Sequence, residues 1–280
     1  LTKKYVSLVR PINDAMIGLS VIVGAFIASG RIIPNLLNLG FGFITGFFIS
    51  GSAMILNDII DLDIDAINNP LRPLPSKAIS IKSAKILFVI FSVIGLTFSL
   101  LSGILTFAIA MASYIIAIIY NTKGKKTGIP GNLMVAYAMG VPIIYGSAIV
   151  GRLNFNIFIY WLMIFLSGIA REITKGITDI EGDRRAGIKT LAVTKGPRAA
   201  ALASLLLYIS AIALSPIPII TGKVYPILYL IPISIVDAMF LGASALTLIL
   251  PKKESAYKSK NISLLAMLIG LLGFLISTKP

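Results

Sequence analysis

The sequence contains no cysteine and no histidine. Without cysteine there is no disulfide framework and no thiolate chemistry, and without histidine there is no imidazole base and no histidine metal site. A metal bound by this chain must therefore be held by oxygen, which favours hard cations such as magnesium or manganese over zinc or copper. Charge is scarce as well: 13% of the 280 residues are Asp, Glu, Lys or Arg, against 57% hydrophobic, and the mean hydropathy is +0.94. That composition overrides the soluble one- or two-domain expectation that length alone would give, and describes an all-α polytopic membrane protein.

Apolar runs suited to a bilayer core of ~30 Å lie near residues 13–30, 36–57, 84–101, 103–120, 130–150, 155–175, 198–220, 224–249 and 261–277. They predict nine transmembrane helices, the third and fourth divided only by Leu101-Ser102-Gly103. The net charge of +14 does not mark a nucleic-acid binder, because the basic residues sit in the short segments between these runs, where they fix topology. With the N-terminus inside, Arg31, Arg152, Lys223 and Lys279 fall on the outer side and the other 21 of the 25 Lys and Arg residues on the cytoplasmic side. The amphipathic stretch LTKKYVSLVR is followed by no small-residue cleavage pattern, so the first span is expected to act as its own insertion signal. No linker, low-complexity tract or internal repeat interrupts the chain, so residues 1–280 are expected to form a single domain. Gly42 and Gly46 form a small-xxx-small pair in the second span. Close helix packing is one reading of it, and a thin wall leaving room for a lipid chain is the other.

Seven of the eleven carboxylates fall in two places: Asp58, Asp61, Asp63 and Asp65 in NDIIDLDID, then Asp179, Glu181 and Asp183 in DIEGD. On a continuous helix Asp58, Asp61 and Asp65 share one face, with Asn57 one turn before Asp61, and Asp63 points elsewhere. Likewise Arg171, Lys175, Asp179 and Asp183 recur every four residues as a polar stripe, with Glu181 off it. Carboxylates crowded at helix C-termini repel one another and the negative end of the helix, so they are badly placed unless a cation joins them. Magnesium takes one or two carboxylates and completes its shell with water and substrate phosphate. Two such stripes facing each other are therefore suited to clamping metal on a diphosphate. Arg72, presented by the proline-stiffened NNPLRPLPS, and Lys175, one turn before Asp179, are candidates to grip its oxygens; a topological role for each is the alternative.

Asn57, Asp58, Asp61 and Asp65 fit NDxxDxxxD, and Asp179 and Asp183 fit DxxxD. On these residues the chain resembles the UbiA superfamily of intramembrane prenyltransferases. RPIN before the first span, NNPLRPLPS, Gly131-Asn132 opening the fifth helix and GDRRAGIKTLAVTKG extend the resemblance over nearly the whole chain. It implies a nine-helix bundle around a central, lipid-open cavity with a cytoplasmic cap. It also implies a Mg2+-dependent enzyme in which a prenyl diphosphate ionises to an allylic cation that an acceptor captures. Carried over residue by residue, Asn57, Asp58, Asp61, Asp65, Asp179 and Asp183 serve the metal, with Asn68, Arg72 and Lys175 on the diphosphate. Neutralising the leaving diphosphate in a dry site is sound physics, and ionisation needs no strong base, so the missing histidine costs little.

Family acceptors include aromatic acids, quinone precursors, haem, chlorophyll precursors and the glycerol hydroxyl of an archaeal lipid phosphate. A surplus of cations at Lys123, Lys125, Lys126, Arg184 and Arg185 suits a phosphorylated acceptor, although the same residues also serve topology. The overall pattern, with its 280-residue length and REITKGITDIEGD, looks most like the lipid-phosphate members of the family, and that resemblance implies geranylgeranyl transfer to geranylgeranylglyceryl phosphate, with an aromatic acceptor as the alternative. Asn13, Tyr120, Asn132, Tyr137 and Tyr145 are candidate acceptor-pocket residues, with packing or an interfacial belt the more ordinary explanation of the tyrosines. Asp237, alone in the eighth span, either pairs with a polar neighbour or serves the acceptor. The expected partners are prenyl diphosphate, lipid phosphate and membrane lipid, with no nucleic acid and no required protein. An ion or metal transporter is the rival class, and no DGxxAR element supports a CDP-alcohol phosphotransferase.

Overall fold

The structure, a computed structural model, describes residues 2–30 and 35–279, except the side chains of Thr2, Lys3, Ile64, Ile67 and Asn68. The topological assignment of Arg31 and the diphosphate role of the Asn68 side chain lie outside the described residues.

The elements run α1 (Thr2–Val9), α2 (Pro11–Ser29), α3 (Leu36–Ile60), α4 (Leu62–Asn68), α5 (Ile81–Leu101), α6 (Ile104–Thr122), a 3-10 turn (Gly124–Lys126) and α7 (Ile129–Ile149). Then come α8 (Phe155–Thr178), α9 (Ile180–Arg185), α10 (Leu191–Lys195), α11 (Pro197–Leu214), α12 (Ile217–Ile220), α13 (Pro226–Ile249) and α14 (Lys253–Ser277). Among the described residues, nine stretches are long and apolar enough to cross a membrane: α2, α3, α5, α6, α7, α8, α11 with α12, α13 and α14. The protein is a multi-pass, all-helical membrane protein. Its spans fall where the apolar runs predict them, with one extension. α14 starts at Lys253 rather than near 261, because the polar stretch KESAYKSK carries no helix breaker and winds on as two further turns. The break at Leu101-Ser102-Gly103 is also as expected: Gly103 takes φ +133, open to glycine alone.

The helices pack into two compact units. The first takes in the chain up to Thr122, apart from the α2–α3 junction, together with Tyr145–Arg152; the second takes in Lys123–Ile144 and everything from Leu153. In the first unit α3 is the hub, packing on α1, α5 and α6. The glycines of its narrow face decide the small-residue question in favour of packing. A Cβ on Gly46 would stand 3.1 Å from the Gly18 Cα of α2, so the two backbones meet there, and one on Gly42 would stand 2.3 Å from Ile149 Cδ1. In the second unit α8 is the hub, packing on α9, α10, α11, α12 and α14. Ile169, Ile173 and Ile177, spaced four apart on α8, fill a core with Ala136, Ala192, Ala200, Ala201 and Ala256. Small alanines on the facing elements let these helices close on the isoleucine ridge.

Candidate active site

Both aspartate clusters lie where a hub helix ends. α3 stops at Ile60, Asp61 takes φ −87 and ψ 10, and α4 resumes at Leu62. The continuous helix expected through Asp58, Asp61 and Asp65 is thus broken in its middle, but lightly. Asp61 N–H still bonds the Asn57 carbonyl at 2.9 Å, and Asp65 N–H bonds the Asp61 carbonyl at 2.7 Å. Asp58 and Asp65 therefore stay on one side. α8 does the same: it stops at Thr178, Asp179 takes φ −114 and ψ 10, and α9 follows. The expected four-residue stripe is broken at Asp179, while Asp183 N–H keeps its bond to the Asp179 carbonyl at 2.8 Å.

In the first unit, Asp58 and Asp65 are buried, and two guanidinium groups balance them. Arg72 pairs with Asp65 and stands 3.6 Å from Asp58 Oδ1, joining the two carboxylates. Arg10 Nη2 donates to the same Asp58 Oδ1 at 2.5 Å. The loop that carries Arg72 is fixed by its own turns. Arg72 N–H bonds the Asn69 carbonyl, and the amides of Ala78 and Ile79 close on the Pro73 carbonyl. Leu74 and Ile79 anchor the loop in a core with Leu8, Ile55, Ala84 and Phe91. Asn57 uses both amide N–H bonds, one to Asp61 Oδ2 at 2.9 Å and one to Asn121 Oδ1 at 3.0 Å, so its carbonyl oxygen is the end left to ligate. Asn121 is buried and donates to the Ala53 and Ala117 carbonyls, which fixes the pair. Asp63 is exposed, as expected of a residue pointing elsewhere.

In the second unit, Asp179 is exposed and accepts from Thr178 Oγ1 at 2.9 Å. Asp183 is half-buried. Burial and the neighbouring Asp179 charge hold its carboxyl above the usual carboxylate range, only partly offset by Thr190 and Lys175. Arg171 turns to the buried Glu172 at 2.7 Å, and Lys175 reaches the other oxygen of Glu172 at 3.4 Å. Lys123, Lys126, Arg184 and Arg185 are exposed and Lys125 is half-buried. Two of these segments meet. Gly128, at φ +72, lies against the Lys189 backbone just past the second motif. A Cβ on Gly131 would stand 2.5 Å from the Gly124 carbonyl oxygen, so only glycine lets the lysine turn fold back on α7.

The candidate acceptor residues differ in burial. Asn13 is exposed, Tyr120, Tyr137 and Asn132 are half-buried, and Tyr145 is buried in a core with Val21, Ala110 and Ile149. Asp237 accepts from Ser215 Oγ at 3.0 Å, which is the polar pairing considered for it. Sequence reasoning did not single out Arg10, Asn121 or Glu172. Arg10 had a signal, its place in RPIN; Asn121 and Glu172 had none beyond lying at or within a span.

The donor set fits a hard divalent ion. It is all oxygen, and the Asp58 and Asp65 pocket already draws cationic groups. Among the described residues no three acidic side chains make a cage of their own.

This fold and these motifs define an intramembrane prenyltransferase: the chain belongs to the UbiA prenyltransferase family, whose profile matches residues 17–272. Among curated relatives, the digeranylgeranylglyceryl phosphate synthase of Methanococcus vannielii is 37% identical over 277 residues, 99% of this chain and 98% of that protein. A solved digeranylgeranylglyceryl phosphate synthase superposes with a TM-score of 0.88 at 33% identity, covering 98% of this chain and 97% of that one. A UbiA homologue from Archaeoglobus fulgidus, bound to GPP and Mg2+, has the same fold at a TM-score of 0.72 and 19% identity, covering 97% and 99%.

Proposed function

We propose that this chain transfers a geranylgeranyl group from geranylgeranyl diphosphate to the glycerol hydroxyl of geranylgeranylglyceryl phosphate, forming the second ether of an archaeal membrane lipid. The full-length similarity to digeranylgeranylglyceryl phosphate synthase carries the choice of acceptor. Diphosphate chemistry is supported by Arg72 standing between two buried carboxylates. The family match spans both units, and we treat residues 1–280 as one catalytic domain.

Asn57, Asp58, Asp61 and Asp65, with Asp179 and Asp183, hold Mg2+, which when bound neutralises charge developing on the leaving diphosphate. Arg72 and Lys175 grip the diphosphate oxygens and orient the allylic C–O bond. Lys123, Lys125, Lys126, Arg184 and Arg185 hold the acceptor phosphate, consistent with the lysine turn packing beside the segment that follows the second motif. The N-terminus and the site face the cytoplasm and the C-terminus lies outside, as the uneven Lys and Arg distribution supports.

Purified protein given geranylgeranyl diphosphate and either geranylgeranylglyceryl phosphate or 4-hydroxybenzoate tests the assignment by mass spectrometry. Mg2+-dependent diether phosphate is expected; product only with the aromatic acid would overturn it.

A further inference from the structure

Arg10 stands outside the roles given so far, yet its place in the fold is unusual. It joins α1 to α2 with φ +54, a left-handed backbone that costs an L residue energy and that glycine adopts freely. Such strain at a non-glycine residue points to a side chain that is needed. Its guanidinium donates to Asp58 Oδ1 at 2.5 Å, the same oxygen that Arg72 approaches to 3.6 Å. The two arginines are also mounted alike. Leu8, two residues before Arg10, and Leu74, two residues after Arg72, bury into one core with Ile55, which lies one turn before Asp58 on α3. The carboxylate is buried and the Arg10 side chain is 28% exposed, so the cation can withdraw toward water while the anion stays.

We infer that Arg10 is an exchangeable counter-ion of the first cluster: it neutralises Asp58 until a divalent ion takes that carboxylate, and it then turns to the diphosphate. This rests on the diphosphate-binding role proposed for the cluster. Unlike a purely structural ion pair, it makes Arg10 a competitor of the metal and a partner of the anion. Removing the guanidinium should therefore move the two affinities in opposite directions.

The test uses Arg10→Gln, Arg10→Gly, which also relieves the positive φ, and Arg10→Lys, which keeps the charge without the planar fork. Mn2+ binding is measured without substrate by electron paramagnetic resonance, and inorganic pyrophosphate binding at saturating Mn2+ by calorimetry. Arg10→Gln and Arg10→Gly should bind Mn2+ about 3- to 10-fold more tightly, since a competing positive charge is gone. They should bind pyrophosphate about 10- to 100-fold more weakly, the loss of a charge-assisted contact. Arg10→Lys should fall between wild type and Arg10→Gln in both. If both affinities fall together, or neither moves, Arg10 is a structural neutraliser and the inference fails alone. Wild-type protein that binds no pyrophosphate with Mn2+ would sink the diphosphate role of the cluster and this inference with it.

Discussion

In both clusters a long hub helix stops at an aspartate with nearly the same backbone, ψ 10 at Asp61 and at Asp179, and a short helix follows. Their surroundings then diverge. Asp58 and Asp65 are buried and held by Arg10 and Arg72. Asp179 is open to water, and Asp183 is half-buried beside it. A buried carboxylate is tolerable only with its charge answered, so the first cluster carries its own cations. The second is more open to solvent, and the Lys175 charge only partly offsets the burial of Asp183 and the charge of Asp179. The same local sequence chemistry thus gives one site whose carboxylates are buried in ion pairs and one whose carboxylates are more open.

The largest effect should come from breaking the balanced side. Asp58→Ala removes the partner of two guanidinium groups. Turnover should fall on the order of 10²–10³-fold or more, as when a key transition-state contact is lost, and stability by about 1–3 kcal/mol. Diphosphate release and thermal melting would show both, and a variant active at wild-type rates would remove Asp58 from the site.

Asp183→Asn sharpens the contrast, because turnover should fall about as far while the metal-free protein melts no lower than wild type. The sign follows from linkage. Asp183 binds its proton more tightly folded than unfolded, so its contribution to stability is present at low pH and lost as pH rises through the folded value. Once ionised, the carboxylate is a small liability that asparagine removes. Melting of the variant relative to wild type should therefore improve from acid toward neutral pH, and the opposite trend would mean that Asp183 has a structural partner.

Arg72→Ala should act mainly on substrate binding, raising KM for the prenyl diphosphate about 10- to 100-fold with a smaller change in kcat. An unchanged KM would leave Arg72 as a neutraliser of Asp65 only. Asn121→Ala loosens Asn57 without touching a carboxylate, and the Mg2+ concentration for half-maximal rate should rise about tenfold, the lower end of effects for groups that orient ligands. The smallest effect is expected at Asp237, outside both clusters. Asp237→Asn keeps a polar group for Ser215 and should leave kcat unchanged and stability within about 0.5 kcal/mol.

The spans, their number and the position of both aspartate sets were legible in the sequence, because hydropathy and charge spacing act through bulk solvation, which needs no tertiary information. The interruptions at Asp61 and Asp179 were not, since no Gly or Pro stands at either and each aspartate carbonyl keeps its i to i+4 bond. The ion pairs were harder still. Arg72 lies seven residues from Asp65 and was readable from its loop, but Arg10 is 48 residues from Asp58 and Asn121 is 64 from Asn57. Such contacts are set by how α1 and α6 dock on α3, which periodicity alone does not specify. Glu172 was hidden by its setting, off the stripe of Arg171, Lys175, Asp179 and Asp183 yet paired with both of its basic residues.

The central proposal is that both aspartate sets act on one and the same diphosphate. A double-mutant cycle of Asp58→Asn and Asp183→Asn, read as kcat/KM for geranylgeranyl diphosphate, tests it most directly. Groups that act as a unit are strongly non-additive, so the double variant should be about as slow as the slower single one. A double variant whose loss equals the product of the two single losses would mean that the clusters work independently, and would contradict the account.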